Sequence, residues 1–155
     1  RYAIDDAALE AAWHELQSQV HPDRHAHLSD VEKRLSMQWA TRVNEGFRTL
    51  RQPLTRAQYL LELAGVDAGL ETNTAMSPEF LMEQMEWREA LEEATGAEAI
   101  EALLEQTQAF RRDSLDQLGR TIDQQRDALA AAQQVRALMF VERFADDLHG
   151  RLDRL

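Results

Sequence analysis

Cysteine is absent from this 155-residue chain. Disulfides, thiolate metal centres and cysteine nucleophiles are thereby excluded, and the composition fits a reducing compartment. No apolar run approaches the roughly 20 residues that a membrane-spanning helix requires. Alternating runs of β-branched residues are missing, so no strand is expected. No Gly-x-x-x-x-Gly-Lys loop is present to cradle a nucleotide's phosphates. Lysine is nearly absent: Lys33 is the sole one, and the other basic residues are arginine. There are only three prolines, and each of them marks a boundary. Internal repeats and low-complexity tracts are also missing.

What is present is an ordinary apolar fraction of 44%, enough for a buried core. The net charge of −11 is unevenly spread. Residues 1–64 hold 8 basic and 9 acidic side chains, whereas residues 65–155 hold 9 basic and 19 acidic ones. Phosphate binding needs clustered Lys and Arg, so this balance speaks against a nucleic-acid role. The plain reading of the acidity is a solvated surface.

Helical spacing dominates throughout. Asp5 or Asp6 can cap a first helix with an apolar stripe of Leu9, Ala12, Trp13, Leu16 and Val20. Pro22 must end it, because proline lacks an N–H and disfavours the α conformation in the preceding residue. Ser29 or Asp30 can cap a second helix, with a stripe of Val31, Leu35, Trp39, Val43, Phe47 and Leu50. Pro53 ends or redirects that helix, and a short third one follows, with Ala57, Leu60, Leu61 and Ala64 inward. Periodicity then fails from Gly65 to Thr74. A new helix opens at Ser77-Pro78-Glu79, where an N-cap, a first-turn proline and a dipole-compatible carboxylate coincide. It is expected to stop near Ala94, before Gly96. Another is expected from Glu98 to Leu118, and a last one from Thr121 to His149 after a break at Gly119. The expectation is an all-α chain: a helical hairpin over residues 1–64, a linker over 65–76 and an antiparallel three-helix bundle over 77–155.

Between the first two helices stands His21-Pro22-Asp23, a tight corner presenting one imidazole and one carboxylate. Such a corner suits recognition by another protein better than small-molecule chemistry. A helix ending in His-Pro-Asp followed by a second long helix resembles the J-domain of the DnaJ-like co-chaperones. The segments Asn44-Glu45-Gly46-Phe47, Leu50-Arg51-Gln52-Pro53-Leu54, Arg56-Ala57-Gln58-Tyr59-Leu60-Leu61 and Phe80-Leu81-Met82-Glu83-Gln84-Met85-Glu86 resemble one branch of them. That branch is the HscB family of iron–sulfur cluster assembly. The resemblance runs over essentially the whole chain. It implies docking on a DnaK-type, HscA-like ATPase chaperone through His21, Pro22, Asp23 and the adjacent Arg24, with Asp23 as the charged contact. It implies acceleration of that partner's ATP hydrolysis, no enzymatic activity and no cofactor of its own, and a bacterial cytoplasmic setting, ahead of a mitochondrial matrix. J-domains begin with one further helix. Here Arg1-Tyr2-Ala3-Ile4 looks like the connection leaving it, so that helix is expected to be absent from this chain. Residues 5–20 also lack the basic residues that many J-domains display on this helix, with Arg24, Arg42 and Arg48 as the nearest substitutes.

The helix opened by Ser77 carries two apolar faces. At about 100° per residue, Trp87 and Leu91 fall within about 20° of Phe80 and form a core stripe. Leu81, Met82 and Met85 fall at about 100°, 200° and 140°, bordered by Glu86, Glu89 and Glu93 at about 180° to 240°. Spacing alone leaves two readings open: an exposed docking patch, or packing of Met82 and Met85 against the linker or the first domain. The HscB resemblance implies the first, with an IscU-type scaffold protein bound by Leu81, Met82, Met85, Glu86, Glu89, Glu93 and Phe140. On its own helix, Phe140 falls near Ala137 and Phe144, which is equally a core position.

Other chemistries are weaker. His14, His21, His25 and His27 cluster in sequence around Asp23, and a first-row metal could use three ligands of this kind. Loop histidines are more often solvated or hydrogen-bonded. Paired carboxylates on the later helices would catalyse only if their surroundings split their pKa values, and exposed faces do not do that. Ser18 lies near His14 and His21 without any evident oxyanion hole. A different client, or a dimerisation role for the acidic bundle, remains the alternative to a scaffold carrier.

Overall fold

The structure, a computed structural model, describes residues 1–21, 29–68 and 76–155. Among these there are six α-helices and no strand: α1 (Asp6–Val20), α2 (Asp30–Arg51), α3 (Pro53–Leu63), α4 (Pro78–Glu93), α5 (Ala97–Arg120) and α6 (Ala128–Asp153). The chain divides into two compact units, Arg1–Tyr59 and Leu60–Leu155, each described separately below.

Local chemistry sets the helix ends of the first unit. The Asp5 carboxylate accepts from the Ala7 and Ala8 amides, and Ser29 and Glu32 form a reciprocal capping box at the start of α2. These contacts satisfy amide donors that a helix start leaves orphaned. Gln52 is extended, as the residue before a proline must be, and Pro53 opens α3. Helices α1 and α2 pack together. The Trp13 ring stacks on Phe47 at 4.6 Å, and its indole N–H donates to Asn44 Oδ1 at 2.9 Å.

The stripe expected on α2 is only partly inward. Val43, Phe47 and Leu50 are half-buried, but Val31, Leu35 and Trp39 are 65%, 50% and 59% exposed. A spacing of four rotates a helical stripe by about 40° per step, so a run of such steps leaves the contact face. On the side that meets α1, Ser36 bonds the Val20 backbone oxygen and Asn44 and Phe47 meet Trp13, and the buried residue on α2 is Ser36. At the other end of the hairpin the Arg56 side chain is buried. Its Nε donates to Leu50 O at 2.7 Å and its Nη1 to Tyr2 O at 3.0 Å, with the guanidinium 5.3 Å from the Tyr2 ring centroid. The arginine thus caps carbonyls at the negative end of α2 and anchors the chain's first residues.

The second unit is built on aromatic packing. Phe80 and Trp87 of α4, Ile100 and Leu103 of α5, and Val141, Phe144 and Leu148 of α6 form one buried cluster. Trp87 stacks on Phe144 at 5.6 Å and meets Phe110 edge-on at 5.1 Å. The break between the last two helices lies later than Gly119. Helix α5 runs through that glycine to Arg120, and a π-helical turn, Thr121–Gln125, follows. Arg126 then takes a left-handed conformation with φ 53°, and Asp127 caps α6 by accepting from the Ala130 amide. One glycine weakens a helix without ending it. Here the change in direction falls at a left-handed residue followed by a good N-cap.

Candidate functional site

His21 ends α1. Its N–H donates to Gln17 O at 2.9 Å, and its φ of −62° and ψ of 132° turn the chain out of the helix, as a following proline requires. The residue is exposed. Pro22, Asp23 and Arg24 lie outside the described residues. His25 and His27 lie outside them too. His14 stands 3.8 Å from Glu10 Oε1 across one helical turn, with its ring against Trp13 at 4.6 Å. Among the described residues no three His, Asp or Glu side chains converge as a metal ion would need.

The second candidate site is the outer face of α4. Ser77 accepts from the Phe80 amide and Pro78 occupies the first turn, so the helix register is fixed from its first residue. With Phe80 and Trp87 buried in the core, geometry turns Leu81, Met82 and Met85 outward. They are 46%, 64% and 62% exposed. Glu86, Glu89 and Glu93 are exposed beside them. Glu92, at about 120° from Phe80 on the same helix, is exposed between Leu81 and Met85. This arrangement is a strip of adaptable thioether and leucine side chains within a carboxylate border.

Phe140 is placed differently from these six. It is half-buried and packs against Phe80 at 5.9 Å and Phe144 at 6.2 Å. The Arg88 guanidinium lies 5.5 Å from its ring centroid. Arg88 falls at about 80° on the α4 wheel, at the edge of the outward strip, and wheel position alone could have marked both Arg88 and Glu92.

Two kinds of likeness bear on this pairing of a His-Pro-Asp corner with an outward apolar strip. Residues 76–149 match the family model described as the HSCB C-terminal oligomerisation domain. The co-chaperone protein HscB homologue of Aromatoleum aromaticum is 63% identical over 158 aligned residues, spanning 100% of this chain and 89% of that protein. The chain belongs to the HscB co-chaperone family. The homologue from Burkholderia multivorans is 52% identical over 100% of this chain and 90% of its own length. Among solved structures, chaperone HscB from Vibrio cholerae superposes with a TM-score of 0.82 at 34% identity, covering 100% of this chain and 93% of that one. Human co-chaperone protein HscB superposes with a TM-score of 0.89 at 28% identity, covering 99% and 78%. The all-α architecture read from helical periodicity is therefore the architecture of this family, and the chain is a J-domain co-chaperone. No described helix is long and apolar enough to cross a membrane.

Proposed function

We propose that this protein is a two-ended adaptor of iron–sulfur cluster assembly. One end, within residues 1–64, presents His21, Pro22, Asp23 and Arg24 to an HscA-like DnaK-type chaperone and stimulates its ATP hydrolysis. The other, within residues 77–155, carries an IscU-type scaffold protein on Leu81, Met82, Met85, Glu86, Glu89 and Glu93, with half-buried Phe140 of α6 as a further apolar contact. The protein performs no bond-making chemistry and takes no cofactor. It works in the bacterial cytoplasm.

The observation that carries this reading is the outward strip on α4. Three large apolar side chains stand at 46% to 64% exposed on a helix whose opposite face is buried. Leaving them in water is unfavourable, and exposed apolar patches rimmed by polar residues mark protein interfaces. Joining two binding ends on one chain makes the second encounter effectively intramolecular, raising local concentration without new contacts.

The test separates the two ends. Asp23→Ala is expected to abolish stimulation of the chaperone's ATP turnover while leaving scaffold capture intact. Met85→Lys is expected to abolish scaffold capture while leaving stimulation intact. Equal damage to both activities by either variant would contradict the division. The family model's description in terms of oligomerisation favours one competing reading, self-association through the same strip. Sedimentation of the free protein distinguishes it, since a scaffold carrier keeps the strip open when alone.

A further inference from the structure

Helix α2 bears Val31, Leu35, Trp39, Val43, Phe47 and Leu50, yet its buried residue is a serine, Ser36. Ser36 is 8% exposed. Its hydroxyl does not bond back to its own helix, as a mid-helix serine commonly does. It reaches across the hairpin and donates to the backbone oxygen of Val20 at 2.5 Å. Val20 is the last residue of α1, and its carbonyl is one of those a helix end leaves without an intrahelical partner. The next residue is His21, whose own N–H is held by Gln17 O at 2.9 Å. The point where the chain leaves α1 and enters His21-Pro22-Asp23 is thus held from two sides, by α1 itself and by a side chain of α2.

Among the described residues, apolar packing supplies little such fixing at this end of the hairpin. Helix α1 has no fully buried residue, and Leu16 and Leu35 are 48% and 50% exposed. The aromatic contact of Trp13 with Phe47 and Asn44 lies nearly two turns earlier along α1. A short, directional hydrogen bond from a small side chain fixes a backbone position more narrowly than half-covered leucines can.

We propose that Ser36 is the positioning residue for His21: by tethering the Val20 carbonyl to α2 it sets the direction in which the chain leaves α1 at the first residue of the motif that meets the chaperone. This rests on the motif reading given above. A recognition element held in its bound geometry binds better than one that must be ordered on docking.

The experiment titrates chaperone ATP turnover with the full chain, comparing wild type, Ser36→Ala, Ser36→Thr and Asp23→Ala. Ser36→Ala is expected to raise the concentration giving half-maximal stimulation by about five-fold, the equivalent of about 1 kcal/mol. Scaffold capture through α4 is expected to be unchanged. Ser36→Thr retains the hydroxyl and is expected to restore the wild-type half-maximal concentration. In an amide NMR spectrum, the His21 and Gln17 signals are expected to move in Ser36→Ala and to stay in Ser36→Thr. Coincident titrations of Ser36→Ala and wild type, with Asp23→Ala inactive, would overturn the role of Ser36. Full activity of Asp23→Ala would instead overturn the motif reading. If Ser36→Ala loses helical circular dichroism, Ser36→Thr decides alone: a folded threonine variant with impaired stimulation overturns the proposal, and one with wild-type stimulation supports it.

Discussion

Met85 stands 62% exposed on α4, so replacing it with lysine neither opens a core cavity nor buries a charge. Met85→Lys is therefore expected to leave thermal stability within about 0.5 kcal/mol of wild type. Scaffold affinity is expected to fall at least ten-fold, since the charge would have to be desolvated at the centre of an apolar strip; calorimetric titration with the scaffold measures that loss directly. Arg56 is the opposite case. Arg56→Met keeps the bulk of the side chain but strips donors from the part-buried carbonyl of Leu50 and the buried one of Tyr2. The expected cost is about 2–4 kcal/mol, visible as a lower melting temperature by circular dichroism. An unchanged melting curve would contradict the anchoring role. Single residues differed in how far the sequence disclosed them. The end of α1 at His21 was legible because proline acts on its own backbone and on its immediate neighbour. Ser36 and Arg56 were not, because their roles depend on carbonyls 16 and 54 residues away. A serine or an arginine on an amphipathic helix reads as solvent-facing until its distant partner is known.

The helices themselves were largely legible, since caps and periodicity are local. Asp5, Ser29 and Ser77 each cap the helix expected of them. The exceptions have a common cause. The α2 stripe drifts because steps of four do not close a helical turn, so its first half turns away from α1. The expected break at Gly119 moved to Arg126 because a glycine can be absorbed within a helix, whereas a left-handed residue before Asp127 cannot. Gly96 shows the converse. With φ 103° and ψ 169°, it occupies a region that side-chain-bearing residues scarcely enter, and it forms the turn between α4 and α5. Space is not the obstacle, since an added Cβ would meet no atom within 4 Å. Gly96→Ala is nevertheless expected to destabilise the protein by about 1–3 kcal/mol through backbone strain alone. Chemical denaturation checks this, and a variant as stable as wild type would show that the turn relaxes freely.

At the scale of the molecule, the proposed function divides between the two compact units of the chain. The His-Pro-Asp corner belongs to the unit of residues Arg1–Tyr59, and the outward strip of α4 to the unit of residues Leu60–Leu155. The acidity of residues 65–155 gives the second unit a border of carboxylates around its apolar strip. If the strip carries a scaffold as proposed, the complementary surface is apolar at its centre and basic at its margin. The resemblance to the co-chaperone family could be read from the sequence because its motifs are contiguous. Whether the second apolar face of α4 is open or packed against the linker or the J-domain was left open by spacing, because a helical wheel gives angles and not neighbours; in the structure Leu81, Met82 and Met85 are 46%, 64% and 62% exposed. The most direct measurement is steady-state ATP turnover by an HscA-class chaperone as this protein is added. The account predicts a rise that saturates and that Asp23→Ala fails to produce. Turnover that stays at its basal rate across the whole titration would contradict it.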